Sequence, residues 1–263
     1  MPDGSLVISY REYAPPPELA AHVACTWVNV SRALPLAPAQ PIIPDGCADI
    51  IMFGDDPPHV AGPAATTQWV RPQPAGTLIT AIRFRPGAVR SILRCDVEAL
   101  GPWGVDLESI CGREAKALVA DLAAANSPDA RRTALEAWTC RRITAAQGAD
   151  QKIIAAGAML TQAPWSRVDE VARVLDLSAR QLRRGFIAAC GYGPKTLQRI
   201  MRLQQALRLA SAPAHRGGLA HLAAAAGYAD QAHMSREFLD LTGFTPARYL
   251  PIHNPELSRW LEL

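Results

Sequence analysis

VDEVARVLDLSARQLRRGF (168–186), followed after four residues by GYGPKTL (191–197), is repeated further on as LAHLAAAAGYADQAHMSREF (219–238), followed after four residues by GFTPARY (243–249). Val168/Leu219, Val171/Leu222 and Ala172/Ala223 match at an offset of 51. After one inserted residue the offset is 52, for Leu182/Met234, Arg184/Arg236, Phe186/Phe238, Gly191/Gly243, Pro194/Pro246 and Leu197/Tyr249. So many ordered agreements mark an internal repeat. Each copy predicts two helices around a tight turn. The first helix buries its Val/Leu face, and the small Ala172 or Ala223 lets the second come close. The turns fall at Asp176-Leu177-Ser178 and Gly227-Tyr228-Ala229. Gly227 suits a left-handed residue after a helix, and Asp176 tolerates that conformation less well. Ser178 and Asp230 are good N-caps for the second helices. Leu182 with Phe186, and Met234 with Phe238, then share the buried face and leave Arg184 and Arg236 outside it. This is helix-turn-helix geometry, over about 168–190 and 219–242, in which the second helix enters the major groove.

Between the units, PKTLQRIMRLQQALRLA (194–210) opens on proline and continues with good helix formers. Ile200, Leu203, Leu207 and Ala210 make one apolar stripe, with Arg199, Arg202 and Arg208 elsewhere. A stiff linking helix would hold two recognition helices roughly one DNA turn apart in a single chain.

Charge points the same way. Residues 1–149 carry 13 basic and 15 acidic side chains, whereas residues 150–263 carry 14 and 9. Residues 177–229 contain no Asp or Glu, yet hold Arg180, Arg183, Arg184, Lys195, Arg199, Arg202, Arg208 and Arg216. Such a stretch suits an anionic polymer, because each phosphate contact releases condensed counterions. An ordinary basic surface would have the same composition, so charge only nominates nucleic acid.

The N-terminal half reads differently. Fifteen of the 22 prolines lie in residues 1–102, between short apolar runs such as LVISY (6–10), ADIIMF (48–53) and GTLITAIRF (76–84). These read as strands. From about residue 107 the pattern turns helical, with Leu118, Leu122, Leu135 and Trp138 on an apolar face that packs internally or against a second copy. AAQGAD (145–150) reads as the linker, and no strand is expected beyond it. The fold class is thus α+β: a mixed β/α domain over 1–145, then an all-α double helix-turn-helix domain over 150–255.

The second unit resembles the AraC/XylS family of bacterial transcription regulators through Ala223, Gly227, Tyr228, Asp230-Gln231, His233, Ser235-Arg236, Phe238, Gly243, Thr245-Pro246 and Tyr249. The first unit and Arg202-Leu203 fit the same pattern, so the resemblance spans about residues 150–250. Asp176 departs from the family's glycine, Gly185 weakens its helix by up to ~1 kcal/mol relative to alanine, and Met234 replaces a commoner aromatic or leucine. By position, the resemblance implies base reading by Arg180, Arg183 and Arg184, with Gln181 flanking, and by Gln231, His233, Ser235 and Arg236. Arg suits guanine, Gln adenine, and Ser or His either base or phosphate. Lys195, Arg199 and Arg202 are candidate phosphate contacts. PDGCAD (44–49) and IRFRPG (82–87) resemble the sensor half of some such regulators, which bind an effector, dimerise, or both. Trp27, Asp45, Cys47, Asp49, Trp69 and Arg83 are candidates to line an effector pocket. A buried Asp–Arg pair serving only the fold explains Asp45 and Arg83 equally well.

The expected partners are double-stranded promoter DNA, a small-molecule effector, RNA polymerase and a second copy of the chain. No cofactor or metal is expected: six cysteines show no CxxC and no zinc-ligand spacing to histidine. No apolar run reaches ~18 residues and the amino terminus lacks signal-peptide features, so a cytoplasmic protein without a membrane span is expected. The rival readings are a DNA-repair alkyltransferase or a redox sensor built on one cysteine. Cys47 stands between Asp45 and Asp49, which would raise its pKa where a nucleophile needs it lowered.

Overall fold

The computed structural model describes residues 10–32, 38–100, 104–144, 149–212 and 218–250. LVISY (6–10), apart from Tyr10, lies outside them, as do residues 145–148 of the expected linker, and Arg216. The chain forms a β-sheet region followed by helices, the α+β order read from the sequence.

The sheet is built from β1 (Arg11–Tyr13), β2 (Val23–Val30), β4 (Ala48–Phe53), β5 (His59–Ala61), β7 (Leu78–Phe84) and β8 (Val105–Asp106), in the order β1-β2-β7-β4-β5-β8 with every pair antiparallel. β3 (Gln40–Ile42) and β6 (Gln68–Val70) form a separate ribbon. In β4, Ala48, Ile50 and Met52 point into the core while Asp49, Ile51 and Phe53 line the opposite face. β7 is central and buries every side chain but Leu78 and Arg83.

One face of this sheet is covered by α1 (Val89–Leu93), α2 (Leu107–Cys111), α3 (Arg113–Ala124) and α4 (Pro128–Thr144). Leu118, Leu122, Leu135 and Trp138 are all buried in this core, so their apolar face packs internally and offers nothing to a second copy. Glu136 ties α4 to β2, receiving a hydrogen bond from Thr26, and is paired with Arg132. Arg142 donates to the Ile92 carbonyl at 2.6 Å, pairs with Glu114 and lies over Trp138.

The second core gathers α5 (Ala149–Gln162), α6 (Val168–Val174), α7 (Ala179–Cys190), α8 (Pro194–Ser211), α9 (Leu219–Ala225), α10 (Gln231–Thr242) and α11 (Pro246–Tyr249). Among the described residues no strand follows Asp106. Ala149 and Asp150, read as linker from the sequence, already belong to α5. That helix serves both cores: Ile153, Ala156 and Leu160 pack in the second and Ile154 in the first.

Candidate nucleic-acid interface

The two copies of the repeat fold alike because equivalent residues do equivalent jobs. Asp176 and Gly227 both take positive φ, +52° and +81°. In each turn the next residue returns to the first helix, Leu177 N–H to the Ala172 carbonyl and Tyr228 N–H to the Ala223 carbonyl, both at 2.9 Å. The second helices are capped by the side chains of Ser178, bound to Gln181 N–H, and Asp230, bound to His233 N–H. Leu182, Phe186, Met234 and Phe238 are fully buried, and Gly191 and Gly243 close both helices in the left-handed conformation. Each pair, α6–α7 and α9–α10, is a helix-turn-helix, with α8 as the linking helix between them.

The outward faces of α7 and α10 carry the side chains of interest. Arg180, Arg183, Arg184, Gln231 and Arg236 are exposed, and Ser235 is half-buried. None of these arginines makes an ion pair among the described residues. Lys195, in the first turn of α8, is exposed as well.

Four of the expected DNA contacts have other partners. Gln181 completes a capping box: its Oε1 accepts the Ser178 backbone N–H at 2.8 Å, which commits its amide to the start of α7. His233 packs edge-on against Tyr228, Nε2 lies 3.5 Å from Glu237, and Nδ1 faces the Ala229 N–H. Arg199 Nε donates to Glu237 at 3.0 Å and its Nη2 to Asp240 at 2.8 Å. Arg202 Nη2 reaches both Glu237 oxygens at 2.9 Å and its guanidinium lies over Tyr228. Arg199 and Arg202 are thus paired with carboxylates that lie beyond the acid-free stretch. Glu237 and Asp240 lie 35 to 41 residues from these arginines, too far for sequence spacing to pair them.

In the N-terminal sheet, Arg83 Nε donates to Asp49 at 3.1 Å, with Asp45 at 3.6 Å and Glu12 at 3.9 Å. Trp27 Nε1 donates to the same Asp49 oxygen at 3.0 Å, and Tyr10 stacks near Trp27 with ring centroids 5.6 Å apart. Burial works against the Arg83 charge, but Asp49 and Asp45 beside it hold its pKa above the ordinary value. Burial, reinforced by Asp45, pushes the Cys47 thiol well up, the opposite of an activated thiolate. Trp69 is not part of this cluster. It stands half-exposed on β6, 5.9 Å from Phe244 in the second helix-turn-helix region. Tyr10 and Glu12, absent from the residues picked from the sequence, take its place. Among the described residues no cluster of His, Cys, Asp and Glu is arranged to hold a metal ion, and no helix is long and apolar enough to cross a membrane.

Residues 171–251 match a family model described as a helix-turn-helix domain. The C-terminal region carries a helix-turn-helix domain. Residues 11–104 match a second model, described as a domain of unknown function (DUF6597). No curated protein matches the chain. Solved structures similar to it include two of ToxT from Vibrio cholerae. One, at 1.65 Å resolution, is 11% identical, covering 86% of this chain and 98% of that one, with a TM-score of 0.44. The other, from strain O395, is 12% identical over 87% and 98%, also with a TM-score of 0.44. A third, ToxT of strain SCE256 bound to an unsaturated fatty acid, is 11% identical over 89% and 98%, with a TM-score of 0.41.

The helix-turn-helix domain is held by the sheet region at both of its units. Near the first, the Tyr192 hydroxyl donates to the Gly46 carbonyl at 3.4 Å and Gln204 of α8 donates to the Pro44 carbonyl at 2.8 Å. Gly46 faces Leu197 and Met201 so closely that a Cβ would collide with Leu197. The turn from Pro44 to Cys47 therefore touches Arg83 through Asp45 on one side and α8 through Gly46 on the other. At the second unit, Thr67 N–H donates at 2.9 Å to the carbonyl of Leu241, in the last turn of α10 where helix carbonyls lack partners.

Proposed function

We propose that this chain is a sequence-specific DNA-binding transcription regulator whose α7 and α10 read successive major-groove faces of one asymmetric site. One observation carries the reading: equivalent helices of two helix-turn-helix units bury their apolar faces in one core and turn unpaired arginines outward. Arg180, Arg183 and Arg184 on α7, with Gln231, Ser235 and Arg236 on α10, are the base-reading set, and Lys195 is a phosphate contact. In this reading the chain divides into residues 1–145 and 150–255, with α5 as the hinge-side helix of the second part.

The sheet region is the regulatory half. The cluster of Tyr10, Glu12, Trp27, Asp45, Cys47, Asp49 and Arg83 receives a small-molecule effector on the sheet face turned away from α3 and α4. A ligand that draws Arg83 or Asp45 into new hydrogen bonds would shift the Pro44–Cys47 turn, and with it α8. Effector occupancy thereby changes DNA affinity or contact with RNA polymerase. The buried rows from α3 and α4 give self-association no support, so the reading does not require a dimer.

The test is substitution of Arg184 and Arg236, one in each recognition helix. Arg184→Ala and Arg236→Ala should each weaken binding to a selected DNA site by about 1–3 kcal/mol and relax preference at one base pair. Their thermal unfolding should stay that of the wild type. Equal weakening on every sequence would make these arginines phosphate contacts and would overturn their assignment as base readers.

A further inference from the structure

We infer that Glu237 is a positioning residue that sets the rotation and register of the second recognition helix against the linking helix, and so aims the base-reading side chains of α10. This rests on the proposal that α10 reads DNA. Glu237 is buried although charged, and it accepts hydrogen bonds from Arg199 and Arg202, one turn apart on α8. Asp240, one turn further along α10, takes the second arm of Arg199. The result is a two-rung ladder between α8 and α10, two guanidiniums against two carboxylates, with His233 leaning on the same Glu237 oxygen.

Met234, Phe238 and Leu241 of α10 lie in the apolar core that this helix shares with α8. Apolar packing is non-directional, and alone it would let α10 turn or slide by a fraction of a residue. Guanidinium–carboxylate bonds are directional, and a planar fork with fixed donors defines both angle and distance. Buried ion pairs add little net stability, and their best-attested use is to choose one register among several. Glu237 is the next residue after Arg236, so any rotation that its bonds prevent would swing Arg236 and Ser235 away from the same base edges. Among the described residues the first unit has no such ladder: Gly185 stands at the equivalent place, against the Ile153 side chain, and α7 packs against α5, α1 and the turn at Val97–Leu100. Only the second unit should therefore depend on it.

The experiment uses the full chain and a DNA site selected by the wild-type protein from a random duplex pool. Every base pair of that site is then substituted in turn. Arg184→Ala and Arg236→Ala show which segment belongs to α7 and which to α10. In the wild type a wrong base pair in either segment should weaken binding roughly 5- to 150-fold. For Glu237→Gln, discrimination in the α10 segment should collapse to within about threefold while the α7 segment keeps its wild-type profile. Arg202→Lys, which keeps the charge but loses the planar guanidinium that lies over Tyr228 and brings Nη2 to both Glu237 oxygens, should show the same one-sided loss to a smaller degree. A loss spread equally over both segments, or an unchanged α10 profile in both variants, would overturn the proposal. If the wild type selects no sequence at all, the underlying DNA-reading assignment fails and this proposal falls with it. If Glu237→Gln does not fold, Arg202→Lys decides alone.

Discussion

Asp176 holds a backbone angle of φ +52° at the turn where its counterpart Gly227 holds +81° without a Cβ. A non-glycine residue there is strained by roughly 1–2 kcal/mol, offset in part because glycine loses more backbone freedom on folding, about 0.5–1 kcal/mol. The exposed Lys152–Asp176 ion pair at 3.7 Å adds little against that. Asp176→Gly is therefore expected to stabilise the chain by about 0.5 kcal/mol, seen as a small rise in the midpoint of thermal unfolding. A fall would show that the lysine contact outweighs the strain. Single residues also mark the limits of reading from sequence. Ser178 and Gln181 have capping-box spacing, so the diversion of Gln181 to the cap was open to inspection. Arg199 and Arg202 look like free phosphate ligands until folding brings Glu237 and Asp240 to them.

At the scale of the element, α7 contains a conflict between local and tertiary preference. Gly185 in its interior costs the helix roughly 1 kcal/mol relative to alanine, so propensity alone favours Gly185→Ala. In the fold a Cβ there would run into the Ile153 side chain of α5, which packs across the glycine. Overpacking of this kind typically costs about 1–3 kcal/mol, and Gly185→Ala should be destabilising. Ile153→Val removes the nearest carbon and should recover part of the loss in a double-mutant cycle measured by denaturant unfolding. A stabilised single mutant would show that α5 yields freely. The repeat and its caps were legible because each rests on periodicity and neighbouring residues. Strands β4 and β7 were legible as bounded apolar runs. β2 was missed because VACTWVNV buries residues without strict alternation, and β3, β5, β6 and β8 are only two or three residues long. Trp69 was misassigned to the Arg83 cluster because nothing local tells a β6 residue which half of the molecule it faces.

For the whole molecule, the decisive contacts run between the sheet region and the helix-turn-helix domain. Gly157 of α5 lies against the carbonyl of Pro86, where a Cβ would collide with backbone, and the Ile153 carbonyl lies against Gly87. Backbone cannot rotate away as a side chain can, so Gly157→Ala should push the two regions apart. Their cooperative unfolding should split, with faster amide exchange in α5 and around Gly87 than in the central strands. An unsplit transition at the wild-type midpoint would mean that the regions are joined mainly by the Thr67–Leu241 and Gln204–Pro44 hydrogen bonds.

Sequence-specific recognition through paired helices is the central claim, and an equilibrium titration of the full chain tests it most directly. Binding is measured to the selected site and to a scrambled duplex of the same composition, from low to moderate salt. The expected result is affinity for the selected site at least ~10³ above the scrambled duplex at physiological salt, with both falling steeply as salt rises. Equal affinity for the two duplexes at every salt concentration would contradict it.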